Sequence, residues 1–334
     1  MVRVLLTGGS GFIAAHTVDI LLQRNHDVVF TVRSDEKGQK ILNNHPGTSS
    51  SKLSYVIVRD IAREGAFDEA VKSDPPFDAV LHTASPFHFN VTDVKKDLLD
   101  PAIVGTTTLL EAIKKNAPSV KRVVITSSFA AIINPSNHAK VYSESNWNPI
   151  TQEQAVASPQ DGYRASKTFA EKAAWDFVER EKPNFDIATL NPPLVLGPVV
   201  HYLNSLDTLN TSNERVRNLI QGKSRNGLPP SGVFIWVDVR DLALAHVKAL
   251  EVPEAGGKRF LITAGHYSNG EIASVIKTKF PELSNKLPDD LKSDRPGDVY
   301  GFDNSRSKEI LGIRYRSLEE SVVDTVKSLL ELGA

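Results

Sequence analysis

The chain has 334 residues, and 39 Lys and Arg against 40 Asp and Glu give it a formal net charge of -1. Hydrophobic residues make up 40% and charged residues 24%, which excludes a disordered or fibrous chain and gives no reason to expect a nucleic-acid or membrane partner. There is no cysteine, which excludes disulfides, cysteine nucleophiles and thiolate metal sites and is consistent with a reducing, cytoplasmic location.

Apolar runs and helical repeats alternate along the first 190 residues. Strands are predicted at Val2–Thr7, Val28–Val32, Leu53–Val58, Ala79–His82, Arg122–Thr126 and Ile187–Leu190. Helices are predicted at Phe12–Gln23, after an N-cap at Ser34, at Asp93–Lys115 with a kink at Pro101, and at Gly162–Glu181. This alternation predicts βαβ units, and therefore an α/β fold with a doubly wound parallel sheet that has helices on both faces.

The alternation ends near residue 190. Pro, Gly, Asn and Ser become dense around 191–212, 222–232 and 281–297, and further helices are predicted at Ser212–Gln221, Val239–Glu251, Ser268–Lys279 and Ser317–Leu332. We therefore expect a first domain over residues 1–190, with segments returning to it near 233–263. A smaller, mostly C-terminal lobe would occupy residues 191–334 and carry loops suited to substrate binding.

A glycine pattern joins the first strand to the first helix. Residues 8–14 read G-x-x-G-x-x-A, in which Gly8 permits a tight turn, Gly11 allows the backbone to approach a pyrophosphate, and Ala14 allows close packing of helix on sheet. The phosphates would lie at the helix N-terminus, where free N–H groups favour anions. The pattern predicts a Rossmann dinucleotide site that includes Ser10, Phe12 and Ile13, and a purely structural glycine turn is the alternative.

The end of the second strand indicates which dinucleotide is bound. NAD enzymes usually have a carboxylate there for the ribose 2′-hydroxyl, whereas this chain has Arg33, with Lys37 one helical turn later. Cations at these positions suit the 2′-phosphate of NADP(H). The alternative for Arg33 is a solvated surface side chain, and Asp35 and Glu36 are interpreted as first-turn acids of the following helix.

A proton-transfer group is predicted from three residues. Tyr163 and Lys167 form Y-x-x-x-K in a helical segment, so both side chains lie on one helix face. The ammonium is expected to lower the phenol's pKa and make Tyr163 a general acid for a carbonyl oxygen. Ser128 follows the fifth strand, where its hydroxyl would orient that oxygen. Its neighbour Ser127 is interpreted as satisfying backbone groups in a turn.

Taken together, these motifs resemble the extended short-chain dehydrogenase/reductase superfamily, and in particular the dihydroflavonol-reductase-like branch that includes fungal NADPH-dependent methylglyoxal/carbonyl reductases. The supporting segments span nearly the whole chain: Gly8–Ala15, His82–Phe87, Thr126–Ser128, Tyr163–Lys167 with Phe169–Trp175, Asn191–Pro192, Asp238–Asp241, Ser307–Lys308 and Leu311–Gly312.

The resemblance implies catalytic roles for Ser128, Tyr163 and Lys167, and NADP(H) as the cofactor. It also implies cofactor contacts from Arg33, Lys37, Asp60, Ile61, Thr83, Ala84, Ser85, Thr126, Pro192 and Leu194. The chain departs from many relatives at Val104, where they carry Asn, and at Phe129, where one type of relative has Tyr. The first departure questions an Asn-assisted proton relay, and the second makes the pocket more apolar.

Aromatic residues are candidates for the wall of a pocket for a bulky hydrophobic ketone or aldehyde, and ordinary core packing is the alternative for each of them. The candidates are Phe87, Phe129, Tyr202 and Trp236. His82 is interpreted as structural. No metal site is expected, because no HExxH motif or carboxylate cluster occurs. The expected partner is a small-molecule carbonyl, and the oligomeric state is left open.

The leading interpretation is an NADPH-dependent carbonyl reductase, and two alternatives remain. A nucleotide-sugar epimerase or dehydratase uses the same scaffold, but such dehydratases typically need an Asp-Glu pair near the strand-five serine, and no carboxylate occurs between Arg122 and Asn137. A non-catalytic NADP-sensing protein is the second alternative, and the presence of Ser128, Tyr163 and Lys167 together argues against it.

Overall fold

The computed structural model describes residues 1–85, 91–200 and 205–334. Its strands are β1 (Arg3–Thr7), β2 (Asp27–Val32), β3 (Leu53–Ile57), β4 (Ala79–His82), β5 (Arg122–Thr126), β6 (Val141–Tyr142), β7 (Asp186–Asn191), β8 (Leu194–Leu196), β9 (Ile235–Asp238), β10 (Lys258–Leu261), β11 (Gly265–His266) and β12 (Gly301–Phe302). Its α-helices are α1 (Phe12–Gln23), α2 (Asp35–Asn43), α3 (Asp100–Asn116), α4 (Gln152–Ala155), α5 (Pro159–Glu181), α6 (Thr211–Ile220), α7 (Val239–Glu251), α8 (Asn269–Lys279), α9 (Ser305–Glu309) and α10 (Leu318–Glu331).

Seven of the described strands form one parallel sheet. Their order is β10-β7-β5-β4-β1-β2-β3, and every neighbouring pair is parallel. The direction in which strands are added reverses between β1 and β4, which creates a crevice outside the carboxyl ends of those strands. The predicted doubly wound parallel sheet is confirmed.

Side chains on the two faces of the sheet pack in two separate apolar cores. Val4 and Leu6 of β1 pack in a cluster with residues of α1 and α7. Leu5, between them, belongs to the cluster formed with α3 and α5. This period of two is the property of a strand that places successive side chains on opposite faces. Helices therefore cover both faces, and the carboxyl edge of the sheet is left for function.

The C-terminal part of the chain builds a third apolar cluster. Residues of α6, α8 and α10 pack there with Leu196 and Trp236, which belong to the small sheet of order β11-β9-β8. A further parallel pair, β6 and β12, ties residues 301–302 to the segment that follows β5. The proposed boundary at residue 190 stays a prediction, while β10 lies beside β7 at the edge of the main sheet.

Several elements differ from the sequence prediction, two of them close to the crevice. The segment expected as one kinked helix over Asp93–Lys115 is a π-helical turn at Lys95–Leu99 that leads directly into α3. Pro101 is the second residue of α3, directly after that π-helical turn, and the predicted kink stays a prediction. β8 was missed because the apolar segment between Pro193 and Gly197 has only three residues, which is too short for a periodic signal.

Within residues 1–85, 91–200 and 205–334, no helix has the length and apolar character that crossing a membrane requires.

Candidate active site

The turn between β1 and α1 has the geometry expected of a phosphate-binding loop. Gly8 has a φ of +75°, and its N–H donates to the Thr31 hydroxyl over 3.0 Å. A Cβ at Gly8 would lie 2.9 Å from the backbone of Ala84, and one at Gly9 would lie 2.6 Å from the Phe30 ring. Larger residues are therefore excluded from the turn by backbone conformation at Gly8 and by space at Gly9.

The start of α1 fits an anionic ligand. Its N-cap, Gly11, offers no side chain to cap the helix, and the first turn contains no acidic residue. The first N–H groups of the helix and its dipole are therefore not neutralised by a local carboxylate. Ser10, Gly11 and Phe12 line a cavity of about 680 Å³ that also reaches Lys37 on α2. Ile13, the remaining residue predicted here, is half-buried in the first turn.

Arg33 is an exposed cation directly after β2. Its side chain makes no hydrogen bond or ion pair with the described residues, in contrast to Arg24, which pairs with Glu251 at 2.6 Å. Ser34 begins α2 as an N-cap, and Asp35 and Glu36 occupy the first turn of that helix, as predicted. Arg33 lies outside the lining of the cavity that contains Lys37, but both cations stand at the same end of the sheet as the glycine turn.

The segments after β3 and β4 lie at the same edge of the sheet as the glycine turn. The Thr83 hydroxyl donates to the Thr7 carbonyl over 2.6 Å, and the Ala84 N–H donates to the Thr7 hydroxyl over 3.2 Å. These bonds hold the segment after β4 against the end of β1. Asp60 is exposed and accepts from the Ala62 N–H, and Ile61 is half-buried. Their roles as adenine contacts, and that of Ser85 as a cofactor contact, stay predictions.

The end of β5 carries three consecutive hydroxyls with different partners. Thr126 is bonded to Nε2 of His246 at 2.6 Å. Because Nδ1 of His246 faces the Leu242 carbonyl at 2.8 Å and must donate to it, the Thr126 hydroxyl is the donor to Nε2. Ser127 donates to the buried carboxylate of Glu171, so the interpretation of its hydroxyl as a backbone partner is wrong.

Ser128 and Tyr163 meet at the carboxyl edge of the sheet. The Tyr163 hydroxyl donates to Ser128 Oγ over 3.4 Å, and Ser128 Oγ also accepts from the Ala130 N–H at 3.1 Å. Because Oγ accepts from both groups, the proton of the Ser128 hydroxyl is available for an oxygen placed between the two side chains. The predicted pair is therefore brought together, by β5 on one side and α5 on the other.

The pKa values at this site follow from burial. Burial raises the pKa of the Tyr163 phenol, opposed by the hydrogen bond to Ser128. The expected lowering of this pKa by Lys167 is therefore wrong, because desolvation of the phenol is the largest effect on it. Burial also lowers the pKa of Lys167 to about 8, opposed by the charge of Glu171. Tyr163 thus stays protonated at neutral pH, as an acid must.

The remaining predicted residues lie near β7 and β8. The Pro192 carbonyl accepts from the Phe129 N–H at 2.8 Å, which fixes the residue after Ser128. Phe129 is 2% exposed and packs edge-on against Tyr142 at 5.2 Å between ring centroids. Leu194 pairs with Trp236 across the small sheet.

Phe129 and Trp236 lie in different apolar clusters, so the structure does not bring them together. Phe87 and Tyr202 lie outside the described residues, and the four-residue pocket stays a prediction.

Sequence reasoning missed the buried polar network behind the site. Glu171 accepts hydrogen bonds from Ser127, Thr189, Asn191 and Arg259. Glu171 is followed by Lys172 in a helix with many charged residues, and no spacing rule separates it from a surface glutamate. The only available signal is that it lies four residues after Lys167, on the same helix face.

Among the described residues, no group of three or more His, Asp and Glu side chains could hold a metal ion. The histidine at the end of β4, His82, is buried and bonded to the Thr7 hydroxyl at 2.8 Å. Burial, with a smaller effect from the Lys167 charge, lowers its pKa to about 3. It is therefore neutral, in agreement with a structural role.

Comparisons with known proteins agree with this geometry. A family described as the NAD dependent epimerase/dehydratase family matches residues 4–265. The chain is 52% identical to a ketoreductase, azaE, of Aspergillus niger, with 98% of each chain covered. It is 36% identical to the NADPH-dependent methylglyoxal reductase GRE2 of Saccharomyces cerevisiae, again with 98% of each covered. The crystal structure of Gre2 in complex with NADPH from Candida albicans superimposes with a TM-score of 0.92 at 39% identity, and 100% of each chain is covered.

Proposed function

The chain belongs to the NAD dependent epimerase/dehydratase family, and on that basis we propose that it is an NADPH-dependent carbonyl reductase acting on aldehydes and ketones. The similarity to a ketoreductase and to a methylglyoxal reductase over nearly the whole chain supports the same reaction class. The observation that carries the proposal is the contact between the Tyr163 hydroxyl and Ser128 Oγ at the carboxyl edge of the sheet. A carbonyl oxygen placed there meets one acid and one orienting donor.

The residues present fit NADPH rather than NADH. The glycine turn leaves no room for a Cβ where the backbone of Ala84 approaches Gly8, and the start of α1 has unneutralised N–H groups for a pyrophosphate. Arg33 and Lys37 supply positive charge for a 2′-phosphate. When bound, NADPH supplies the hydride that reduces the carbonyl carbon.

The chain's own residues handle the oxygen and its proton. Tyr163 donates its phenolic proton to the oxygen as negative charge develops there. Ser128 donates a second hydrogen bond to the same oxygen and holds it in line with the phenol. Lys167 keeps a positive charge close to the site, which stabilises the tyrosinate left after proton transfer.

The apolar residues around Ser128 favour carbonyl compounds with hydrophobic substituents. Phe129 follows Ser128 directly and belongs to an aromatic group with Tyr142 and Tyr300. We propose that this side of the site takes the substituents of the substrate. Small aldehydes such as methylglyoxal would then be accepted, and bulky ketones would gain further apolar contact.

The proposal is tested by following NADPH and NADH oxidation with a panel of aldehydes and bulky ketones. We expect carbonyl-dependent oxidation with a clear preference for NADPH. Tyr163→Phe should lower kcat by about a hundredfold or more, because general acid catalysis contributes about 10²–10⁴-fold. Tyr315→Phe is the matched control, since it removes a buried hydroxyl that bonds to Ser307 on α9. Full activity of Tyr163→Phe would contradict the mechanism.

A further inference from the structure

A buried ion pair lies directly behind the candidate active site. We propose that Glu171, anchored by Arg259, is a positioning residue for the reductase: it fixes the turn that carries Ser128 and provides the permanent negative charge opposite the Lys167 ammonium. This inference rests on the proposed function and names two residues whose charges act through Ser128 and Lys167.

The pair is fully enclosed by protein. Arg259 Nε lies 2.7 Å from Glu171 Oε1, and the two side chains are 9% and 1% exposed. Removing both charges from water is costly, so a buried ion pair is weak evidence for stability compared with apolar residues of the same volume. A specific role in the site is therefore the better explanation for its presence.

Arg259 is held from three directions. Its Nη1 donates to the carbonyls of Glu144 and Asn146 at 2.6 and 2.7 Å. Its guanidinium lies 3.6 Å from the centre of the Trp147 ring, a cation–π geometry. The arginine therefore cannot swing away, and it holds the Glu171 carboxylate in one place.

Hydrogen bonds connect Glu171 to the turn that carries Ser128. Ser127 donates directly to Glu171 Oε2. The Asn191 amide donates both to Glu171 Oε2 at 2.7 Å and to the Ser128 carbonyl at 3.2 Å. The Glu171 carboxylate is thus connected to Ser128 in two ways, through the side chain of the preceding Ser127 and through Asn191 to the Ser128 carbonyl. Both connections fix the serine that bonds to Tyr163.

The same carboxylate acts on Lys167 through its charge. Glu171 lies one helical turn after Lys167 on α5, and both side chains line one small cavity of about 20 Å³ between α3, α5 and the ends of β4 and β5. Burial lowers the pKa of Lys167 to about 8, and the charge of Glu171 opposes that shift. Loss of the charge would therefore lower the pKa of Lys167 further.

Few other charged groups face the Lys167 amine. The titratable groups one helical turn away on α5 are Glu171, whose charge acts on Lys167, and Tyr163, whose phenol is protonated. β4 contributes His82, which is neutral at pH 7. The other side chains that line the shared cavity are uncharged. They are Ala84, Ser85, Ala102, Thr106, Ile125, Thr126, Ser127 and Ala170. Arg259, from β10, acts through Glu171.

The test is the pH profile of NADPH-dependent carbonyl reduction in Glu171→Gln. In the unmodified protein, kcat/KM should fall on the alkaline side with a midpoint near pH 8, as the Lys167 ammonium loses its proton. In Glu171→Gln we expect this midpoint to move down by about one pH unit. We also expect kcat to fall by about tenfold to a hundredfold, because Ser128 is displaced. A merely structural role would lower stability without moving the midpoint.

Two further variants complete the experiment. Glu171→Gln leaves the Arg259 charge buried without its partner, so the double variant Glu171→Gln/Arg259→Met restores a neutral interior and should fold while showing the same shifted midpoint. Asp186→Asn is the matched control, because it breaks the pair with Arg122 at the opposite end of β5 and β7. We expect it to leave the pH profile unchanged.

The outcomes separate the two proposals. If either folded Glu171 variant keeps the alkaline midpoint of the unmodified protein and a kcat within twofold of it, the positioning role is overturned. The reductase assignment then stays intact. If none of the carbonyl compounds supports NADPH oxidation by the unmodified protein, the proposed function is overturned, and this inference with it.

Discussion

Arg33 is the residue on which the proposed preference for NADPH depends. It is exposed at the end of β2, and no described carboxylate pairs with it. An unpaired guanidinium beside a glycine turn favours a ligand with a phosphate at the ribose 2′-position. The neighbouring acids do not compete for that role, since Asp35 accepts from the Tyr55 hydroxyl and Glu36 pairs with Lys40.

We predict that Arg33→Ala raises the KM for NADPH by about tenfold to a hundredfold, because a hydrogen bond to a charged group contributes about 1.5–3 kcal/mol. The KM for NADH should stay within twofold, since that cofactor lacks the phosphate. Steady-state kinetics with both cofactors measure the difference. Arg180→Ala, on the exposed end of α5, is the control. Equal losses with NADPH and NADH would show that Arg33 does not contact the phosphate.

At the same scale, the sequence predicted the residues that carry a motif and missed those that support them. Ser128 and Tyr163 were placed correctly relative to each other because strand ends and helical spacing fix their positions. Glu171 and Arg259 were not found, because they are 88 residues apart and bond only after β10 reaches the sheet. The direction of the Tyr163 pKa was also wrong, since burial cannot be read from spacing.

The element that limits sequence variation most strongly is the turn between β1 and α1. Gly8 combines a positive φ with a close approach to Ala84. Gly47 has a similar φ of +85° but no atom within 4 Å of the position a Cβ would take. Comparing alanine substitutions at Gly8 and Gly47 therefore distinguishes the cost of a positive φ from the cost of a steric clash.

We predict that Gly47→Ala lowers the free energy of unfolding by about 1 kcal/mol, the cost of a left-handed conformation. Gly8→Ala should lower it by about 1–3 kcal/mol more, because its methyl group also displaces the segment after β4. Urea denaturation of both variants measures this difference. NADPH binding should be lost in Gly8→Ala alone, and equal destabilisation of the two variants would refute the steric argument.

Several elements of the main sheet and its helices were predicted to the residue, and the strands of the small sheet were not. α1, β4, β5 and α7 begin and end at the predicted residues, because each has a full period of apolar residues bounded by turn residues. β8, β9 and β11, which form the small sheet, were not assigned, since they are short strands that lie outside the strand–helix alternation of the first 190 residues. The π-helical turn before α3 was also missed, because no sequence pattern distinguishes it from an α-helical turn.

At the scale of the whole molecule, buried histidines make stability depend on pH. Burial lowers the pKa of His82 to about 3 and of His246 to about 4, and it also lowers the pKa of His16. Their folded pKa values lie below the unfolded value, so the unfolded chain takes up protons first as the pH falls. Their contribution is complete above about pH 6.5 and is lost towards pH 4. His45 acts in the opposite direction, because Asp19 raises its pKa.

We predict that the free energy of unfolding falls between pH 6.5 and pH 5, by about 1.4 kcal/mol per pH unit for each fully buried histidine. His246→Asn should reduce that slope by about the contribution of one histidine, whatever its effect on absolute stability. Urea denaturation at several pH values measures the slope. His45→Asn is the control and should leave the slope below pH 6.5 nearly unchanged, because a raised pKa gives stability that is already present below the unfolded value. An unchanged slope in His246→Asn would contradict the prediction.

The position of β10 at the edge of the main sheet has a consequence for synthesis on the ribosome. Residues of β1 to β7 and of α5 emerge well before Arg259, so a nascent chain that stops short of β10 holds the Glu171 carboxylate without its counter-ion. That charge must remain in water until β10 arrives. The edge of the sheet nearest the serine turn is therefore completed late, and a fragment that ends before residue 259 will not assemble a working site.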